Sequence, residues 1–273
     1  MNDDDLQDWP RPHYTPGGAA PFLFYVVFGA AVEDLRLSRK KYRCDEIPPG
    51  LETLSYGPDS AEVVERFRNG LLWDALRESD PALAGEIANQ RRCVIVRGIL
   101  RDAPSLNDFR NTIGLLTCLL DHGGIGICDP QSLAWWSPRE WRRKVFDPAL
   151  PSPHEHVVIL FSEEADGTRW FHTRGLRKFG RPDLSMHNVP HEHADSVVRM
   201  FNRFIEFQAL GGLIAEGQAV HMPPLPDGIS CAHGGSEDDP DFNNVHVELC
   251  WPTERSKGLA ARATAEGQHG ERP

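Results

Sequence analysis

Histidine and basic residues are concentrated in one stretch of the chain, from Trp170 to His193. It holds four of the twelve histidines and four basic residues: His172, His187, His191, His193, Arg174, Arg177, Lys178 and Arg181. Imidazole nitrogens can bind a metal ion or transfer protons, and guanidinium and ammonium groups can bind anions. This density of polar groups indicates a functional surface, although the stretch contains no catalytic signature.

Histidine and glutamate side chains from separate predicted strands form the candidate metal site. In the predicted strand 245–251, alternation places His246 and Glu248 on the face opposite the core. His172 and His221 lie in two other predicted strands. If these strands are neighbours, the four side chains converge and can hold zinc or perform acid–base chemistry. The alternative is that they are ordinary polar residues on the solvent face of a sheet.

The segment TRGLRKFG, residues 173–180, predicts an anchored basic turn. Gly175 permits a sharp turn, and Leu176 and Phe179 are spaced to hold one helical turn against the core. On this interpretation the basic residues are displayed outward. The candidate binding residues here are Arg174, Arg177, Lys178 and Arg181.

Tryptophans and arginines gather around a second predicted element. Ser137, Pro138 and Glu140 form a capping box that starts a short helix. Trp135 and Trp136 precede this helix, and aromatic rings beside arginines are enriched in protein interfaces. Both tryptophans are therefore candidate contact residues. The alternative is that they pack the helix on a sheet while the arginines face solvent.

The overall charge restricts the classes of partner. The chain has 273 residues, 40% of them hydrophobic, and a formal net charge of −11. A negative protein is repelled by nucleic-acid phosphates and by anionic membrane surfaces, so we expect neither as a general partner. The same charge favours a basic protein partner.

The N-terminal sequence and the cysteines indicate a compartment. The start of the chain is acidic and proline-rich, without the basic region and apolar core of a signal peptide. The longest apolar run, residues 19–32, is shorter than the ~20 residues that cross a bilayer. Six scattered cysteines without a CxxC pair are typical of reduced thiols. These features predict a cytoplasmic, bacterial protein.

Strands that occur singly or in hairpins between helices predict an α+β fold, with helices on one face of a mostly antiparallel sheet. The β-α-β rhythm of residues 93–128 is a ferredoxin-like element. We expect residues 174–193 to be irregular, residues 1–20 to be a flexible N-terminus and residues 253–273 to be a flexible tail. Residues 21–252 form either one domain or two lobes, 21–89 and 90–252.

Two segments resemble motifs of uncharacterised bacterial α+β domain families. They are residues 125–141 and residues 172–184, and the second has the pattern T-x-G-L-x-x-F-G-x-P. The resemblance covers roughly residues 90–250 and implies a standalone cytoplasmic protein. Some members of these families lie near toxin–immunity loci. The resemblance carries no established catalytic residue.

These observations favour a non-enzymatic protein-binding module that needs no cofactor, such as a bacterial immunity or interaction protein that neutralises a basic toxin. One alternative is a metal-assisted hydrolase that holds zinc through His172, His221, His246 and Glu248. A second alternative is a small-anion binding module that uses the basic turn. The hydrolase requires the four metal ligands to converge, and the anion-binding module requires the basic residues of the turn to be exposed.

Overall fold

The computed structural model describes residues 6–33, 35–44 and 46–252. The described helices are α1 (Arg39–Tyr42), α2 (Ala61–Arg66), α3 (Leu71–Ser79), α4 (Pro81–Ala88), α5 (Asn107–Asp121), α6 (Pro138–Trp141) and α7 (Ala194–Ala209). The described strands are β1 (Phe22–Phe28), β2 (Leu51–Tyr56), β3 (Cys93–Ile99), β4 (Gly126–Asp129), β5 (Ala134–Trp136), β6 (Val158–Glu163), β7 (Arg169–Arg174), β8 (Asp183–Val189), β9 (Ala219–Val220), β10 (Ile229–Ser236) and β11 (Asn244–Cys250).

The strands form two sheets. The first has the order β2-β3-β1-β4-β5, and all of its neighbouring pairs are antiparallel. The second has the order β6-β7-β8-β11-β10-β9, in which β8 and β11 pair in parallel. The predicted α+β class with mostly antiparallel strands is confirmed.

The first sheet contains a split β-α-β arrangement. Strand β1 lies between β3 and β4 and is antiparallel to both, so β3 and β4 are parallel to each other. Helix α5 connects β3 to β4, as in ferredoxin-like folds. The ferredoxin-like rhythm predicted for residues 93–128 is therefore present.

Aromatic and β-branched residues explain why β1 is the central strand of this sheet. Its sequence FLFYVVF suits a pleated, buried surface, and Tyr25 through Phe28 have no exposed surface. Helix α5 is buried along most of its length, including Phe109, Ile113 and Leu116. The core of the first sheet is therefore built from both the strand and the helix that the hydrophobic pattern marks most strongly.

The chain divides into two compact units. Among the described residues, unit 1 contains residues 6–33, 35–44, 46–158, 175–181 and 205–213, and unit 2 contains residues 159–174, 182–204 and 214–252. The predicted lobes, 21–89 and 90–252, do not correspond to these units. The reason is that β3 pairs with both β1 and β2, so a division between residues 89 and 90 would cut through one sheet.

Two side chains anchor the segment 6–20, for which the sequence predicted flexibility. Trp9 is 2% exposed and donates its indole N–H to Ala149 O at 2.8 Å. Arg11 is also buried and pairs with Asp102 at 2.6 Å. Residues 1–5 and the predicted tail, residues 253–273, lie outside the described residues. No helix in the described part of the chain is long and apolar enough to cross a membrane.

The prediction that residues 174–193 are irregular is wrong for β8. This strand pairs with β7 on one side and β11 on the other, which makes it central in the second sheet. Its residues Asp183 through Met186 are all buried. The polar side chains Asp183 and Ser185 obscured the period-two pattern of Leu184 and Met186 in the sequence.

Candidate protein-binding groove

The second sheet places three of the four predicted metal ligands on one face. The strand registers align His172 with Ser185 and Ser185 with Glu248, while His246 is aligned with Asp183. These pairs lie on the same face because directly opposed residues in neighbouring strands point the same way. The expectation that His172, His246 and Glu248 share a face agrees with this register.

Aromatic rings fill the space between these histidines. Trp170 stacks against His172 on one side and His187 on the other, with ring centroids 4.1 and 4.9 Å apart. The Phe242 ring lies 5.6 Å from the His172 ring and 4.3 Å from the His246 ring. Phe242 contacts both imidazoles, so this face is a packed ring cluster.

The fourth predicted ligand lies elsewhere. His221 follows the edge strand β9, is largely exposed and contacts Asp227 at 2.7 Å. Within residues 6–33, 35–44 and 46–252, no group of three or more His, Cys, Asp or Glu side chains is arranged to hold a metal ion. Burial lowers the pKa of His172 to about 4, so its imidazole is neutral at pH 7.

The outward display predicted for the basic turn is wrong for two of its four cations. Lys178 and Arg181 are each 1% exposed. Leu176 and Phe179 anchor the turn as predicted, and both are fully buried. Gly180 ends the turn with a φ of 65°.

Partners distant in sequence explain this burial. Lys178 Nζ pairs with Asp129, and Arg181 pairs with Asp102 at 3.2 Å. Arg177 packs over the ring of Phe22, and Arg174 is half-buried. The four cations therefore do not form one exposed anion-binding row.

Lys178 belongs to a buried network that fixes the loop between β4 and β5. The Lys178 ammonium donates to Asp129 and to Ser132 Oγ at 3.1 Å, and Ser132 Oγ donates to Asp129 at 2.7 Å. Asp129 also accepts the backbone N–H of Gln131 at 3.1 Å. The Gln131 side chain in turn bonds the backbone of β1 at Phe22 and Phe24. Asp129, Gln131 and Ser132 therefore fix the loop up to the residue before Leu133.

This loop presents Leu133 to solvent. Leu133 has a φ of 54° and is 39% exposed. A non-glycine residue in the left-handed region costs about 1–2 kcal/mol. Strain of this kind concentrates at functional sites, so Leu133 marks this loop as a candidate contact surface.

The two candidate tryptophans have different positions. Trp136 is 6% exposed and packs against Trp141, so the structure places it in the core and not at the surface. Trp135 is half-buried; its ring contacts Trp73 at 5.8 Å and its indole N–H donates to Leu72 O at 2.9 Å. Trp135 therefore joins β5 to helix α3 and keeps part of its surface accessible.

A groove with a volume of about 720 Å³ lies between α3 and the segment from β5 to α6. The apolar residues that line it are Leu72, Ala75, Leu76, Leu83, Leu133 and Trp135. Leu76 and Leu83 are buried in the floor, while Ala75 and Leu133 are exposed. A concave apolar surface of this size suits the anchoring side chains of a binding partner.

The rim of the groove carries charges of both signs. Asp80 accepts the backbone N–H of Leu83 at 3.0 Å and caps α4, and Glu140 contacts Ser137 Oγ at 3.2 Å in the predicted capping box. Arg139 and Arg143 are exposed and have no ion pair among the described residues. The two carboxylates keep their charge but are half-buried and bonded locally, whereas the two guanidinium groups are exposed and accessible to a partner.

The chain matches no protein-family model, no curated protein and no solved structure. The resemblance of residues 125–141 and 172–184 to bacterial α+β domains therefore stays a prediction.

Proposed function

We propose that this protein is a non-enzymatic binding module that holds a segment of a partner protein in the groove beside Trp135. The observation that carries the proposal is the exposed Leu133, which is held at a φ of 54° beside two arginines that have no ion pair within the described residues. Exposed apolar surface rimmed by polar residues is typical of protein interaction sites.

The lining indicates the chemistry of the partner segment. The apolar floor, with Leu72 and Trp135, suits a large aliphatic or aromatic side chain. Arg139 and Arg143 favour acidic residues next to that anchor and disfavour basic ones. We therefore propose an acidic segment with one large apolar residue as the occupant.

More specifically, we propose that the protein is an immunity or interaction protein of a bacterial conflict system. This proposal rests on the sequence resemblance and on the net charge of −11, which favours a basic toxin at long range. A basic toxin would still have to offer an acidic, apolar segment to the groove. The metal-assisted hydrolase and the anion-binding basic turn have no comparable support.

Selection from a random peptide library displayed on phage tests the proposal directly. The full chain is immobilised, and the same selection is performed with the Arg139→Glu/Arg143→Glu variant. We expect the wild type to enrich peptides that combine Asp or Glu with Leu, Phe or Trp. We expect the variant to lose this enrichment, because the attraction at the rim becomes repulsion.

Two further variants complete the design. Leu133→Asp places a charge in the apolar part of the groove and should weaken the selected peptides by about tenfold or more. Arg91→Glu changes an exposed arginine outside the groove and should leave them unaffected. The proposal fails if no acidic, apolar sequence is enriched, or if Arg91→Glu is as harmful as the groove variants.

A further inference from the structure

A second cleft of unit 1 contains four basic side chains. Its volume is about 290 Å³, and its basic lining residues are Arg39, Lys40, Arg43 and Arg110. Trp9, Leu6 and Ala149 form apolar parts of the wall. None of these residues lines the groove beside Trp135, so the cleft is a separate feature of the molecule.

Arg110 is a buried cation whose hydrogen-bond partners are all neutral. It is 6% exposed, and its guanidinium donates to Gln7 O, to Asn107 Oδ1 at 3.2 Å and to Asn111 Oδ1 at 3.0 Å. Its Nε is buried and has no hydrogen-bond partner in the part of the chain that the structure describes. A buried charge is costly unless an opposite charge compensates it.

Charges of both signs surround Arg110. Burial lowers the pKa of its guanidinium; Asp8 and Cys44 oppose this shift, while Arg39 and Arg43 add to it. Asp8 is exposed, and its carboxylate accepts a hydrogen bond from the Asn107 amide at 2.6 Å. Asp8 therefore compensates the buried charge only in part.

Arg43 and Lys40 also lack a carboxylate partner among the described residues. Within the described ranges, Arg43 donates to backbone carbonyls alone, those of Phe146 at 2.6 Å, Pro148 at 2.9 Å and Asp147 at 3.2 Å. Lys40 is exposed and has no ion pair within the described part of the chain. Three cations of one small cleft thus lack a carboxylate partner among the described residues.

We propose that this cleft binds a small anion of the phosphate class, such as a phosphate monoester or pyrophosphate. Arginine suits this chemistry because its planar guanidinium binds two phosphate oxygens at once, and lysine adds a point charge. The volume of about 290 Å³ restricts the ligand to a small molecule. The apolar wall at Trp9 and Leu6 suits a short organic group beside the phosphate.

Calorimetric titration of the full chain with pyrophosphate, and separately with inorganic phosphate, tests the proposal. We expect saturable binding at millimolar or lower concentration, together with a rise in melting temperature, because a ligand that binds only the native state stabilises it. We expect Lys40→Ala to weaken binding by about tenfold, since it removes an exposed charge of the cleft without disturbing the core.

Matched variants separate this site from general ionic effects. Arg91→Ala removes an exposed charge outside the cleft and should leave pyrophosphate binding unchanged. Arg110→Met should abolish pyrophosphate binding. If this variant fails to fold, the binding constant of Lys40→Ala still tests the proposal. Chloride at equal ionic strength should not raise the melting temperature as pyrophosphate does.

Three results would overturn the proposal. They are the absence of saturable binding, equal binding by Lys40→Ala and wild type, and an equal effect of chloride. The groove beside Trp135 does not depend on this result.

Discussion

The Lys178–Asp129 pair links the buried turn 175–181 to the loop that presents Leu133. Both side chains are fully buried, so each ion is tolerated only because the other one is present. We predict that Lys178→Met lowers the free energy of unfolding by about 3–5 kcal/mol, because it leaves the Asp129 carboxylate buried and unpaired. Urea denaturation followed by circular dichroism measures this change.

Two variants serve as controls for the Lys178 prediction. Lys178→Met combined with Asp129→Asn removes both charges, and it should cost less than Lys178→Met alone. Lys41→Met removes a lysine that pairs with Asp121 at 3.0 Å but is 62% exposed. It should cost at most about 1 kcal/mol. An effect of Lys178→Met as small as that of Lys41→Met would contradict the buried pairing.

Stability should decrease in mild acid through His172. Its folded-state pKa of about 4 lies below the ordinary value of 6.5, chiefly because of burial; Asp241 opposes this shift, and Arg174 and His187 add to it. The unfolded chain therefore takes up the proton first, and this contribution to stability is lost as the pH falls from 6.5 towards 4. Burial and the charge of Lys178 lower the pKa of His156 as well, so His156 acts in the same direction.

Substitution of His172 isolates its part of this pH dependence. His172→Phe keeps a ring against Trp170 but cannot take up a proton. We predict that the loss of unfolding free energy between pH 7.5 and pH 5 is smaller in this variant than in the wild type by about 2 kcal/mol. Urea titrations at the two pH values measure the difference. Identical losses in both proteins would show that His172 is not held neutral by burial.

The basic turn shows what local sequence can and cannot predict at the residue scale. The spacing of Leu176 and Phe179 and the glycines at 175 and 180 predicted an anchored turn, and the structure has one. The burial of Lys178 depends on Asp129, which is 49 residues away in sequence. A contact of this kind has no local signal, because lysine is usually exposed.

At the scale of elements, the approach of α5 to the end of α1 requires a glycine. A Cβ atom on Gly114 would lie 2.1 Å from Tyr42 O and 2.7 Å from Cys44 Cβ. We predict that Gly114→Ala destabilises the protein by about 1–3 kcal/mol through this overlap, although alanine is the better helix former. Thermal unfolding followed by circular dichroism measures whether the substitution lowers the melting temperature.

Gly85 in α4 is the matched control for Gly114. It is exposed, and a Cβ atom there would meet nothing within 4 Å. Gly85→Ala should therefore stabilise the protein by about 0.5–1 kcal/mol. If both substitutions shifted stability in the same direction, the close packing of α5 described here would be incorrect.

Periodicity predicts the position of the strongly amphipathic elements better than their interruptions. The hydrophobic pattern predicts a strand over residues 93–100 and a helix over residues 194–210, and β3 and α7 lie close to these bounds. It also predicts one helix over residues 59–78, which the structure divides into α2 and α3 at Gly70, where φ is 76°. This division matters for the site because it makes α3 a separate helix that forms one wall of the groove.

At the scale of the whole molecule, the candidate groove depends on segments that are far apart in sequence. Helix α3 contributes residues 72–79, while the loop and α6 contribute residues 133–143. The sequence indicates that Trp135 and the arginines near it form a contact surface, but it does not pair them with Leu72 or reveal the strain at Leu133. Such a pairing arises only when β4 and β5 join the same sheet as β1.

The central claim is that the groove binds an acidic, apolar segment, and a charge-swap cycle tests it most directly. The dissociation constant of a selected peptide is measured with the wild type and with Arg143→Glu, and then again with the acidic residue of the peptide changed to lysine. We predict that each single change weakens binding and that the two together restore much of it, with a coupling energy of about 1 kcal/mol or more. Strictly additive losses would show that Arg143 does not contact the acidic residue and would contradict the proposed occupant of the groove.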